Sequence, residues 1–152
     1  MTDLPQTFED VTVGDRFESD DRYEVTREEI LEFAEKYDPQ PFHLDEDAAA
    51  ESHFGGLIAS GWHTAAMAMR LLVDGLLVED GSAGAIGADD LRWYEPVRPG
   101  NVLRLEGEVE DKGPWSDAHG LVHSRVELFN DDDGLVMSYV GLVLWERGGS
   151  TE

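Results

Sequence analysis

The sequence predicts an α+β fold in which a curved antiparallel sheet wraps around one long helix. Three features carry that expectation. A helix rich in Ala, Met and Leu is expected from Trp62 to Leu77, apolar on nearly all sides and so enclosed by protein. Four strand-like segments follow, at 84–94, 102–111, 119–129 and 135–146, separated by turn residues. A shorter strand and two helical stretches precede the long helix, so the order is segregated rather than a regular strand–helix alternation.

Taken in order, residues 1–14 are turn-rich and expected to be irregular. Phe17 to Val25 has β-branched and aromatic residues near its ends and reads as a strand. Thr26-Arg27-Glu28-Glu29 has the form of a capping box, in which the Thr26 hydroxyl accepts from the Glu29 amide and Glu29 reaches back. Ile30, Leu31, Phe33, Ala34 and Tyr37 follow at helical spacing, which places a helix over 27–36. Pro39 disfavours helical backbone at Asp38 and ends it there. Asp38 to Asp45 is expected to be a loop pinned by Pro39 and Pro41, Glu46 to Ser52 a helical turn, and Phe54-Gly55-Gly56 the start of another loop. Ser60 or Gly61 then opens the long helix. Turns are expected at Pro99-Gly100, Lys112-Gly113-Pro114 and Asp131 to Gly134. Leu135 to Trp145 is apolar at both parities, as in a strand buried on one face by the helix and on the other by a partner subunit.

A chain of 152 residues, 41% hydrophobic and with four Trp, is expected to form one domain over 1–152, its core spanning about 10–146. Asp and Glu total 34 against 11 Lys and Arg, a net charge of −23. The acids are dispersed along the chain, a pattern that suggests a halophilic source. Clustered cations for a phosphate backbone are lacking, so neither nucleic acid nor an anionic membrane is an expected partner. The absence of Cys excludes disulfides and thiolate chemistry. The opening MTDLPQTFED has no basic or apolar leader region, so no signal peptide is expected and the setting is taken as cytoplasmic. The longest apolar run, Ile58 to Val78, holds His63, Arg70 and Asp74, and so reads as a core helix, not a membrane span.

The segment Asp38-Pro39-Gln40-Pro41-Phe42-His43-Leu44-Asp45 offers a carboxylate and an imidazole, the two groups needed to divide the proton transfers of a hydration. Spacing alone does not bring them together. In an extended strand Asp38 and His43 point to opposite faces, and the plain alternative is a capping aspartate beside an ordinary loop histidine. Ile58-Ala59-Ser60-Gly61-Trp62-His63 places small residues at a helix start, where backbone N–H groups favour developing negative charge. Ser60 can cap the helix while the Gly61 amide faces a ligand. His43, His53 and His63 lie ten apart, which is no metal-ligand spacing, and no metal is expected. His63 reads as structural or pocket-lining, and His119 and His123 as a surface pair. Trp62, Trp93 and Tyr94 read as packing residues before tunnel walls. Arg92, Arg98 and Arg104 are the cations available to a phosphate, with surface ion pairing as the alternative.

YDPQPFHLD followed by FGGLIASGWHT resembles the MaoC-like dehydratase family, which includes the R-specific enoyl-CoA hydratases. Val13-Gly14-Asp15 and Pro96-Val97-Arg98-Pro99-Gly100 extend the likeness over roughly 10–145. The resemblance implies the hot-dog fold. It further implies catalytic roles for Asp38 and His43, a thioester-holding amide at Gly61, and substrate contacts from Ser60, Trp62, Ile58 and Phe42. Gln40 stands where Asn is frequent, Ser60 where His is frequent and Asn101 where Asp is common, departures that bear on substrate more than on reaction. The implied activity is a hydro-lyase acting between a 2-enoyl-CoA and an (R)-3-hydroxyacyl-CoA. It needs no metal or organic cofactor, coenzyme A being part of the substrate. The implied assembly is a homodimer or a set of dimers. Two alternatives on the same fold are an acyl-CoA thioesterase using Asp74 or Glu79 as base, and a non-catalytic acyl-thioester-binding subunit.

The charge generates a first prediction. Self-repulsion at −23 is screened by salt, so the thermal midpoint rises between low-salt buffer and molar KCl, by on the order of 5 °C or more. A scanning-calorimetry series with a flat or falling midpoint contradicts it.

Overall fold

The computed structural model describes residues 5–74 and 82–148. Thr26 has extended backbone and its hydroxyl accepts from the Glu29 N–H at 3.2 Å, so helix α1 runs from Arg27 to Tyr37. The capping box forms by half: the Glu29 carboxylate turns to the Tyr23 hydroxyl instead of reaching back. The Asp38 N–H still donates to the Ala34 carbonyl at 2.9 Å, which fixes Asp38 to the end of α1.

The proline-flanked segment differs from the expected loop. Pro41–Leu44 is a single helical turn, α2, and Glu46–Glu51 forms α3. Pro41 takes the first helical position, where a missing N–H costs nothing, so the residue read as a loop marker is equally a helix starter. Asp45 caps α3 by accepting from the Asp47 and Ala48 amides. The long helix, α4, spans Gly61–Leu72. Residues 75–77 of the expected helix lie outside the described residues.

Phe17 to Val25 is not one strand but two short ones, β1 (Arg16–Glu18) and β2 (Tyr23–Glu24), with a break at 19–22. The remaining strands are β3 (Ser82–Trp93), β4 (Val102–Pro114), β5 (His119–Phe129) and β6 (Leu135–Glu146). The sheet has the order β1-β4-β5-β6-β3, with antiparallel pairing throughout and β2 also on β4. The expected turn at Lys112 to Pro114 lies instead inside β4, whose Pro114 pairs with Gly120. The chain reverses over 115–118, where the Trp115 and Ser116 amides donate to the His119 carbonyl. Gly100 (φ 90°) and Asp133 (φ 61°) take left-handed backbone at the two other turns, as the turn chemistry predicts.

Met67, Ala68, Leu71 and Leu72 of α4 share one core with Leu103 and Leu105 of β4, Val126 and Leu128 of β5, and Met137 of β6. A second cluster, Phe8, Val11, Val109, Val122 and Trp145, forms where a 3-10 turn at Phe8–Asp10 covers the far end of the sheet. Val136, Met137 and Ser138 are consecutive and all buried, as expected of a strand apolar at both parities. The helix is not enclosed on every side, however. Trp62 is 62% exposed and Met69 41%, and edge strand β3 exposes Ile86 and Trp93. Among the described residues, no helix is long and apolar enough to cross a membrane.

Leu105 is fully buried at the centre of this core. Leu105→Ala is expected to cost about 2–5 kcal/mol in denaturant unfolding, whereas truncating half-exposed Val13 costs under about 1 kcal/mol. Equal losses at the two positions contradict this assignment of the core.

Candidate active site

The turn α2 decides where His43 goes. Its ring is buried, and Nδ1 lies 2.7 Å from the Ile58 carbonyl oxygen. A carbonyl only accepts, so Nδ1 carries the hydrogen and donates. Nε2 is thereby directed at Asp38 Oδ2, 3.3 Å away. The Ile58 N–H donates back to the Phe42 carbonyl at 3.3 Å, and the Phe42 ring stands edge-on to the imidazole at 4.6 Å. Buried Ile58 therefore holds the histidine through its backbone.

Asp38 is held from three sides. Gln40 Nε2 donates to Oδ1 at 2.7 Å, the Ser60 hydroxyl donates to the carboxylate, and His43 stands at Oδ2. Burial alone pushes the carboxyl pKa up. The Ser60 and Gln40 hydrogen bonds and the nearby imidazole outweigh it and hold Asp38 below the usual aspartate value. Ser60 is wholly buried, and its oxygen also accepts from the Trp62 N–H at 3.3 Å. It caps α4 and supports Asp38 at once.

Gly61 is the first residue of α4, so its N–H has no acceptor within the helix. A Cβ at Gly61 would lie 2.6 Å from the Trp93 ring, whose Nε1 donates to the Gly61 carbonyl at 2.9 Å. Trp62 meets Trp93 edge-on at 5.3 Å and is otherwise exposed. Asp38, Phe42, His43, Ile58 and Ser60 thus form one contiguous cluster, Gly61 adjoins it, and the Trp62 side chain lies at its rim. A cavity of about 900 Å³ opens between α4 and the sheet, lined among others by Trp62, Ala65, Met69, Leu91, Val126 and Tyr139; Asp38 and His43 are outside it.

The other candidates sort out by their partners. Arg98 donates to the Phe54 carbonyl at 2.6 Å, Arg104 pairs with Glu106 and Asp133, and Arg92 lies over the Tyr94 ring. Asp74 is exposed and paired with Arg70 at 2.8 Å, and Glu79 lies outside the described residues. Among the described residues, no three His, Asp or Glu side chains are grouped to hold a metal. Sequence reasoning missed two features. Trp93 packs directly on Gly61, and buried His63 joins half-buried Tyr23, Glu29 and Phe33 in one cluster. The signals available were a histidine inside an apolar helix and a capping-box glutamate beside an aromatic strand.

Ser60→Ala removes the buried donor to Asp38, so the carboxyl is expected to titrate at higher pH. Asp38's depressed value stabilises the fold above the ordinary aspartate pKa of 3.8, and that contribution is lost as pH falls through the depressed value. In the variant the contribution is smaller, and its loss is complete at higher pH. Carbon-13 titration of the Asp38 carboxyl tests this, and an unmoved midpoint contradicts it.

Residues 8–129 match the MaoC like domain. The chain is similar to a solved MaoC-like dehydratase from Rhodospirillum rubrum, at 41% identity and a TM-score of 0.85 over 93% of this chain and 97% of that one. It is 32% identical over 108 residues to the 3-hydroxybutyryl-CoA dehydratase of Methylorubrum extorquens, covering 70% of this chain and 66% of that protein. It is also 28% identical over 125 residues to the uncharacterized protein YdeM of Bacillus subtilis, covering 82% and 88%. The domain match over most of the chain and the superposition on a solved relative place this protein, with its hot-dog fold, in the MaoC-like dehydratase family.

Proposed function

We propose that the protein is a hydro-lyase that adds water to a 2-enoyl-CoA thioester, or removes it from the (R)-3-hydroxyacyl-CoA, with Asp38 and His43 as the acid–base pair. The observation that carries this is the 3.3 Å approach of His43 Nε2 to Asp38 Oδ2 while Nδ1 is tied to a carbonyl. Two acceptors at that separation both lie within about 2.8 Å of one water oxygen placed at their apex. Such a water donates one hydrogen to each and turns its lone pairs to the substrate. As its O–H bond breaks, the oxygen bonds to the β-carbon and the π electrons move onto the thioester oxygen. A proton held by the pair then forms the C–H bond at the α-carbon. The Gly61 N–H, at the positive end of α4, is the donor for the enolate-like oxygen. Ser60, Ile58 and Phe42 hold the pair, and Trp62 stands on the wall of the neighbouring cavity. The similarity to a 3-hydroxybutyryl-CoA dehydratase supports an acyl-CoA substrate.

The same reading makes the protein a cytoplasmic homodimer, with the acidic surface fitting a salt-rich setting. Edge strand β3 is exposed along nearly its whole length, and Trp62, Met69, Ile86, Trp93 and Tyr94 are exposed apolar residues on β3 and its surroundings. An open apolar edge of this kind invites pairing with a second copy.

Crotonyl-CoA hydration, followed at the enoyl thioester absorbance in molar KCl, tests the reaction. Wild type is expected to turn over, and Asp38→Asn and His43→Ala to lose at least about a hundredfold in kcat. Release of free thiol from a saturated acyl-CoA, without enoyl hydration, replaces the hydro-lyase with a thioesterase.

A further inference from the structure

We propose that Tyr23, Glu29 and His63 form a half-buried clamp that sets Asp38 against the start of α4, which makes Glu29 and His63 positioning residues. The chemical consequence rests on the hydro-lyase reading, whereas the geometry does not.

The site is assembled from two helix ends. Asp38 is fixed to the end of α1 through its N–H bond to Ala34, and Ser60 and Gly61 stand at the start of α4. His63, one turn into α4, reaches across to α1 in two ways. Its Nε2 lies 3.3 Å from Glu29 Oε1, and its ring lies flat on Phe33 with centroids 4.7 Å apart and planes 7° from parallel. Glu29 and Phe33 are four apart and share a face of α1, and Phe33 in turn meets Tyr37, the residue before Asp38, at 5.0 Å. One imidazole thus grips α1 at two points on the face leading to the catalytic aspartate.

Glu29 is itself anchored. The Tyr23 hydroxyl lies 2.6 and 2.7 Å from its two oxygens, and burial together with this partner pushes the phenol up to about 12. The glutamate has given up its usual capping role to make these contacts. His63 Nδ1 is buried with no hydrogen-bond partner among the described residues. An apolar ring would fill the same space without that desolvated nitrogen, so what His63 adds over such a ring is its bond to Glu29. Burial also lowers the His63 pKa, with Glu29 opposing, which favours a neutral ring that donates through Nε2. Loss of the clamp lets α1 slide against α4. A shift of about 1 Å disrupts both the Ser60–Asp38 hydrogen bond and the Asp38–His43 contact.

His63→Phe keeps the ring on Phe33 and removes the bond to Glu29, while Glu29→Gln keeps an acceptor oxygen. On crotonyl-CoA, His63→Phe is expected to lose between about tenfold and a hundredfold in kcat with KM within about twofold, and Glu29→Gln to retain most of it. The Asp38 carboxyl, assigned by the carbon-13 signal lost in Asp38→Asn, is expected to titrate at higher pH in His63→Phe, as in Ser60→Ala. A purely structural role lowers stability and leaves that midpoint in place. A folded His63→Phe protein with unchanged kcat and unchanged midpoint overturns the clamp. If His63→Phe does not fold, Tyr23→Phe, which removes one hydroxyl, is read the same way, and an unmoved Asp38 midpoint again overturns it. If wild type is inert on enoyl thioesters, the hydro-lyase reading fails, and the Asp38 titration still decides the clamp.

Discussion

The hydrogen bond from His43 Nδ1 to the Ile58 carbonyl is the contact on which the rest of the site depends. At 2.7 Å, with an acceptor that cannot donate, it fixes the tautomer and the plane of the ring together. Nε2 then has one direction, toward Asp38. The reciprocal bond from the Ile58 amide to Phe42 ties the segment before α4 to the turn α2, so the histidine and the helix start move as a unit. Without this tether, Asp38 and His43 are two polar groups near each other. With it, they are a pair of fixed geometry.

Asp38 shows how the fold sets the charge of that pair. It sits at the C-terminal end of α1, where a helix dipole disfavours a carboxylate, and next to the N-terminal end of α4, where a dipole favours one. The two influences are opposite in sign, and burial adds to the one that opposes the charge. What tips the balance is specific: the Ser60 hydroxyl, the Gln40 amide and the imidazole. In a chain of net charge −23 a carboxylate gains little from its wider surroundings, so local donors have to carry its ionisation.

Much of the architecture was legible because turn and cap residues act locally. Thr26 starts α1, Pro39 ends it, and Pro99-Gly100 and Asp131 to Gly134 bound strands that form where alternation places them. The errors also have local causes. Pro41 serves a loop and a first helical position equally, so the turn that brings His43 to Asp38 was invisible in the pattern. Lys112-Gly113-Pro114 looks like a turn but remains in β4, because partners on β5 continue to Gly120. Residues 17–25 look like one strand, and the break at 19–22 depends on pairing with β4. The motif resemblance pointed to Asp38, His43, Ser60 and Gly61. It could not reveal Trp93 against Gly61 or His63 against Glu29, since both pairings join distant parts of the chain and depend on how the sheet curls around α4.

The central claim is that one water, held by Asp38 and His43 on a single face, adds across an enoyl thioester. Hydration of crotonyl-CoA in deuterium oxide, with the product analysed for chirality at C3 and for deuterium at C2, reports on that claim directly. The account predicts a single (3R)-3-hydroxybutyryl product carrying one deuterium at C2 in one configuration, because both new bonds form from the side where the pair stands. A (3S) or racemic product, or deuterium scrambled between both C2 positions at early conversion, would contradict it.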